Sequence, residues 1–316
     1  MIRAVGVTAI ACAAVTVGAS AAPAVPARTA ASCDRTSVGY VPLKDLGTGS
    51  YQGFGGGLYS SGANAPSGRY LSDGKEAARQ VVPRGPDGSR SAGGQIVLLS
   101  IGMSNTTQEF QAFMRATSAD RSVSSRVRLV DGAQGGQDVE EIKDPSAMYW
   151  SRIDQRLAQA RVTARQVQVA WVKQAVARET RPFPEDARGL QESLRSVISI
   201  LRARYPNLKL VYLSSRTYAG YATTPLNPEP YAYQSGFAVK WLIQERINGR
   251  IRGPWLGWGP YLWTDGTNGH KDGLVWTCDD VRSDGTHPSP SGQAKVGGLL
   301  LRFFKTSPTA RGWFRA

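Results

Sequence analysis

The stretch Ile96-Val97-Leu98-Leu99-Ser100-Ile101-Gly102-Met103-Ser104-Asn105-Thr106-Thr107 decides the fold. Its first six residues form a short, almost wholly aliphatic run, the pattern of a strand buried on both faces in a parallel sheet. Gly102 breaks the run and polar residues open a helix at once, with a candidate over residues 107–117. Strand, tight turn and helix are half of a βαβ unit. Similar runs recur at 127–130, 167–172 and 208–213, and they alternate with amphipathic segments at 147–160 and 190–205. The second of these sets Leu190, Leu194, Val197, Ile198 and Leu201 at helical spacing and stops at Tyr205-Pro206-Asn207. A long loop follows, then a helix around 235–247, an aromatic-rich stretch and a last amphipathic helix from about 290 to 304. Residues 95–316 are therefore expected to form one α/β domain around a parallel sheet.

The preceding residues differ in character. Residues 22–94 are rich in Gly, Ser, Ala and Pro and contain turn formers such as Gly53-Phe54-Gly55-Gly56-Gly57. They predict an irregular N-terminal arm packed on the main domain, with one short helix at 75–80. At the start, Met1-Ile2-Arg3 precedes a small and apolar run from Ala4 to Val17, and Ala19-Ser20-Ala21 supplies residues that a signal peptidase accepts. This is the form of a secretory signal over residues 1–21, too short for a comfortable membrane span. The mature protein is expected to be secreted, extracellular or wall-associated, without integral membrane association. Acylation of Cys12 is disfavoured by the bulky Ile10 two residues before it.

Of three cysteines, Cys33 and Cys278 remain after such a cleavage. An oxidising compartment favours a disulfide between them, with two separate buried thiols as the alternative. No cysteine and histidine cluster points to a metal, and no cofactor motif is present. The formal charge of +14 raises the question of nucleic acid, but the arginines are scattered through the expected helices without interleaved aromatics, so no nucleic-acid partner is expected.

Ligands of an open parallel sheet bind beyond the carboxyl ends of its strands. Ser104 stands there, after the first strand. Either it caps the following helix, or Thr106 and Glu109 form a capping box and leave its hydroxyl free. The second candidate is Asp284-Gly285-Thr286-His287-Pro288-Ser289, just before the last helix, which Ser289 can cap with Pro290 in the first turn. A serine hydroxyl becomes a good nucleophile when an imidazole takes its proton, and a carboxylate three residues away can fix the tautomer of that imidazole. The chain has two histidines; His270 reads as a loop-surface bystander, leaving His287 as base or as a satisfied structural residue.

Gly102-x-Ser104-Asn105 after the first strand, Gly135-Gly136 after the second, and Asp284-x-x-His287 before the last helix resemble the SGNH (GDSL-type) hydrolase superfamily. The likeness covers roughly residues 95–304, and Gly-x-Ser-Asn is most similar to the carbohydrate-acetylesterase branch and to a group of secreted bacterial proteins. The resemblance implies a three-layer α/β/α fold with a flavodoxin-like parallel sheet. It also implies Ser104 as nucleophile, His287 as base and then acid, and Asp284 as its orienter. The N–H groups of Ser104 and Gly136 would be oxyanion donors, with Gly135 beside the substrate. The family's third donor is an asparagine, where this chain has Val176; Gln174 is the candidate substitute, or else a polar residue at a strand end.

Trp258 and Trp263 are candidates for a sugar-stacking wall, or for core and loop packing. Arg216 and Tyr218 follow the fourth strand and either meet substrate or fasten the next loop. The sequence thus predicts a secreted serine ester hydrolase acting on an O-acyl group of a small molecule, carbohydrate or wall polymer. The alternative is a carbohydrate-binding protein without chemistry.

Overall fold

The computed structural model describes residues 1, 2, 4 and 31–316. Nearly all of the expected secretory signal, Cys12 and the arm up to residue 30 lie outside the described residues. Within the rest of the arm, α1 (Leu43–Leu46) leads to the two-residue strands β1 (Ser50–Tyr51) and β2 (Phe54–Gly55), which pair antiparallel, and then to α2 (Gly68–Arg79). The helix expected at 75–80 is therefore longer, reaching back to Gly68. Leu43, Leu58, Tyr59 and Val81 of this segment are buried in the common core.

The alternating part runs β3 (Ile96–Gly102), α3 (Ser104–Ser118), β4 (Val127–Asp131), α4 (Val139–Ile142), α5 (Met148–Gln159), β5 (Val167–Lys173), α6 (Glu185–Arg204), β6 (Leu210–Leu213) and α7 (Tyr231–Ile247). It ends with β7 (Trp255–Trp258), α8 (Pro290–Thr306) and α9 (Arg311–Phe314). The five strands lie in the order β4-β3-β5-β6-β7, all parallel. Helix α3 packs on α8 and α6 packs on α7. The fold is three-layer α/β/α with the flavodoxin-like strand order, as expected.

Burial explains the order. Every residue of the central strands β3 and β5 is buried, whereas the edge strand β4 exposes Arg128. At the opposite edge, β7 was not foreseen, because Trp255-Leu256-Gly257-Trp258 reads as part of an aromatic loop. It pairs with β6 in the register Leu210↔Trp255, and the arm covers it. Tyr70 of α2 stacks on Trp255 with ring centroids 5.3 Å apart, and the Trp255 indole N–H donates to the Tyr70 carbonyl at 3.0 Å. A disulfide joins Cys33 to Cys278, with Cα atoms 5.3 Å apart across 245 residues of chain.

Strand β5 ends in Lys173, whose side chain is fully buried. Its ammonium donates to both carboxylate oxygens of Glu109 on α3, at 2.5 and 2.7 Å. Removing one partner of a buried pair leaves the other charge without compensation, which costs about 3–5 kcal/mol. Lys173→Met is expected to lose that much in denaturant unfolding. The double variant with Glu109→Leu should lose less than the two single changes added together.

Candidate active site

Both halves of the site are built by backbone constraints. Chain direction changes sharply between β3 and α3: a Cβ on Gly102 would stand 2.2 Å from Thr106 Oγ1 and 2.5 Å from the Lys173 carbonyl, so only glycine fits. Met103 occupies the extended N-cap position with no side-chain cap, and Ser104 is the first residue of α3. The capping box expected from Thr106 and Glu109 does not form. Thr106 Oγ1 instead donates to the Lys173 carbonyl at 2.8 Å, and Glu109 holds Lys173. Both side chains lie inside the helix and face the end of β5, because burial next to Lys173 outweighs a surface cap.

The second half is the turn before α8. Ser289 caps that helix by accepting from Gly292 N–H, and Pro290 opens it. Gly285 has φ +63°, and a Cβ there would stand 1.8 Å from the Tyr221 carbonyl oxygen, so the turn requires glycine twice over. Asp284 Oδ1 accepts the backbone N–H groups of Thr286 and His287, each at 2.9 Å. Asp284 Oδ2 lies 2.6 Å from His287 Nδ1. His287 Nε2 in turn lies 2.8 Å from Ser104 Oγ. Asn105 Nδ2 donates to the Thr286 carbonyl at 2.8 Å and fastens the two halves together.

Partial burial pushes the Asp284 carboxyl group up, but the N–H groups and ring of His287 and the N–H of Thr286 outweigh it and hold its pKa below the usual carboxylate value. Asp284 is therefore ionised and can accept a proton bond from Nδ1, which leaves Nε2 free to accept the serine proton. The tautomer follows from this network.

Ser104 and His287 open into a cleft of about 700 Å³. Gly135 and Gly136 line it, and a Cβ on Gly135 would lie 3.8 Å from the Ser104 Cβ. Val176 lines it as well, offering a methyl surface where the resemblance places a donor. Gln174 does not fill that role: its Nε2 donates to the Gln137 carbonyl at 2.9 Å and its Oε1 accepts from Ala175 N–H at 3.2 Å. Its Nε2 thus ties the end of β5 to the loop at Gln137, and Gln174 is not among the residues lining the cleft.

The two tryptophans stand elsewhere. Trp258 is buried on β7 and donates to the Leu58 carbonyl at 2.8 Å; Trp263 is buried and donates to Glu229 Oε1 at 2.7 Å. Neither lines the cleft of Ser104, because both indoles are drawn into the core where their N–H groups find acceptors. His270 is likewise buried rather than on the surface, stacked on Tyr261 and bonded to the Trp263 carbonyl and Asp272.

Two residues of the cleft, Asp138 and Asn227, were not singled out in the sequence. Asp138 caps α4 and also accepts Ala177 N–H at 2.8 Å, tying the loops after β4 and β5 together. The run Asp138-Val139-Glu140-Glu141 carried that signal as a helix cap with an acidic first turn. Asn227 donates to the Val176 carbonyl at 3.2 Å and accepts from Arg216 Nε at 3.2 Å. No local pattern marks it. Arg216, read as a loop fastener or substrate contact, is buried in the cleft wall.

No family model matches the chain, and no curated protein matches it. Among solved structures it is similar to a candidate acylhydrolase of Bacteroides fragilis, with 13% identity and a TM-score of 0.39 over 74% of this chain and 93% of that one. It is also similar to the periplasmic domain of a lipopolysaccharide acetyltransferase of Salmonella ser. Paratyphi A, with 12% identity and a TM-score of 0.39 over 74% and 94%. A gut microbial diltiazem-metabolizing enzyme is similar at 14% identity and a TM-score of 0.39, over 69% of this chain and 47% of that one. At these values the chemistry of the site stands on its own geometry.

Gly285→Ala tests that geometry directly. The added methyl must displace either the Tyr221 carbonyl or the turn that carries Asp284 and His287. A fall of about 2 kcal/mol or more in unfolding free energy is expected, together with slower labelling of Ser104 by a fluorophosphonate.

Proposed function

We propose that this protein is a secreted serine ester hydrolase. The observation that carries the reading is the continuous line Ser104 Oγ, His287 Nε2, His287 Nδ1, Asp284 Oδ2, with steps of 2.8 and 2.6 Å between residues, opening into the cleft. In the reaction, His287 Nε2 takes the Ser104 proton as Oγ attacks the acyl carbonyl. Negative charge on the carbonyl oxygen falls to the Ser104 N–H at the start of α3 and to Gly136 N–H. The imidazolium then gives its proton to the leaving alcohol, and a water activated by the same ring releases the acid from the acyl-enzyme. No metal or cofactor enters these steps.

The substrate we favour is an O-acyl ester, acetyl-like, of a carbohydrate or wall polymer outside the cell. The signal-like start of the chain and the Cys33–Cys278 disulfide support export. The reading as a sugar binder without chemistry drew on Val176 and on the tryptophan-rich stretch. The second of these supports is lost with Trp258 and Trp263 in the core, and the contact between His287 and Ser104 favours the reading with chemistry.

The test is hydrolysis of p-nitrophenyl acetate and labelling by a fluorophosphonate. Wild type should do both and Ser104→Ala neither; equal labelling of the two would remove Ser104 as nucleophile. Asp284→Asn presents an amide to Nδ1 and favours the wrong tautomer, so kcat should drop by about 10⁴-fold.

A further inference from the structure

Arg216 follows β6 and lines the same cleft as Ser104, yet only 3% of it is exposed. Its Nε donates to Asn227 Oδ1, and its Nη1 is buried without a hydrogen-bond partner among the described residues. Two carboxylates act on it through their charge, Glu109 and Glu229, and both are engaged elsewhere. Glu109 holds Lys173, while Glu229 accepts from Trp263 Nε1 and from the N–H groups of Ala219 and Tyr233. Among the cleft's other charges, Asp138 accepts from the N–H groups of Glu140, Glu141 and Ala177; Glu141 and Arg178 line the opening.

Burial pushes the Arg216 pKa down, but a guanidinium remains protonated in proteins. A permanent charge is thus held in the wall of the cleft with no ion pair among the described residues. A loop fastener would need only Nε and Asn227; Nη1 lacks an acceptor among the described residues, and a substrate that enters the cleft lined by Arg216 can bring one.

We propose that Arg216 recognises a carboxylate on the substrate, so that the site takes esters carrying an acidic group next to the scissile bond. The inference rests on the ester-hydrolase reading and narrows its substrate class. The carboxylate can belong to the alcohol, as on a uronic acid ring, or to the acyl group, as in a dicarboxylic half-ester. A guanidinium fork matches the two oxygens of either.

Three esters separate these sources: phenyl acetate, 4-acetoxybenzoate with the carboxylate on the alcohol side, and monophenyl succinate with it on the acyl side. One charged ester should exceed phenyl acetate in kcat/KM by about tenfold or more in wild type, as a charge-assisted hydrogen bond implies. That ratio should fall toward one in Arg216→Gln and recover in part in Arg216→Lys, which also serves if the glutamine variant does not fold. A wild type that prefers neither charged ester, or a preference that survives in Arg216→Gln or, where only that variant folds, is undiminished in Arg216→Lys, overturns the proposal. If no ester is hydrolysed, the ester-hydrolase reading fails by itself. Calorimetry with benzoate and succinate then decides: binding to wild type that the Arg216 variants weaken supports the carboxylate site, and no binding, or equal binding to all, overturns it.

Discussion

The buried pair between Lys173 and Glu109 is the constraint on which the placement of the site depends. It joins the carboxyl end of β5 to the second turn of α3, and Thr106 Oγ1 adds a bond to the Lys173 carbonyl a few atoms away. In a low-dielectric interior such a pair is favourable only when the geometry is close to ideal, so a rotation or slip of α3 would be severely penalised. Ser104 stands one turn and a half upstream on the same helix. Its position at the end of β3 is therefore inherited from an interaction that does not touch the cleft. Burial pushes the Lys173 pKa down to about 8 despite the carboxylate beside it, because water is excluded from this junction.

The histidine reaches the serine by an independent route. The two residues are 183 positions apart in sequence and meet because α8 packs along α3. The turn ahead of α8 is fixed at several points: by Ser289 at the cap, by Gly285 against the Tyr221 carbonyl, and by Asn105 reaching across from α3. The Cys33–Cys278 bridge anchors the chain shortly before that turn. Asp284 uses one oxygen to close the turn and the other to hold the ring, so the local fold and the proposed chemistry share one carboxylate.

Features governed by local pattern were legible in the sequence, and those governed by tertiary packing were not. Strands β3 to β6 and the long helices could be read from aliphatic runs and helical spacing, because parallel strands buried on both faces leave a continuous apolar signature. Strand β7 could not. Its sequence Trp255-Leu256-Gly257-Trp258 becomes a strand because β6 offers an unpaired edge and the arm supplies Tyr70 to cover it. Thr106 and Glu109 fit a capping motif in sequence, yet the demand of a buried ammonium on the neighbouring strand β5 decides their role. Tryptophans 258 and 263 illustrate the same limit: an aromatic cluster looks alike on paper whether it faces a ligand or the core, and only the location of acceptors for the indole N–H groups distinguishes the two. Ser104, Asp284 and His287 could be picked out because strand-end position and the spacing of three are local facts and the whole chain holds only two histidines.

The electrostatics of the cleft divide naturally between binding and chemistry. In the proposed reaction, the start of α3 offers backbone N–H groups and the positive end of a fifteen-residue helix to the carbonyl oxygen that Ser104 would attack. That oxygen is almost neutral in the bound ester and fully charged in the tetrahedral intermediate, so donors placed there act on kcat. Val176 supplies no third donor, which makes the helix terminus and Gly136 more important in the proposed reaction. Arg216 works differently. A carboxylate that it holds carries the same charge before and during attack, so its attraction is uniform along the reaction and appears chiefly in KM, apart from what it adds by orienting the ester toward Ser104.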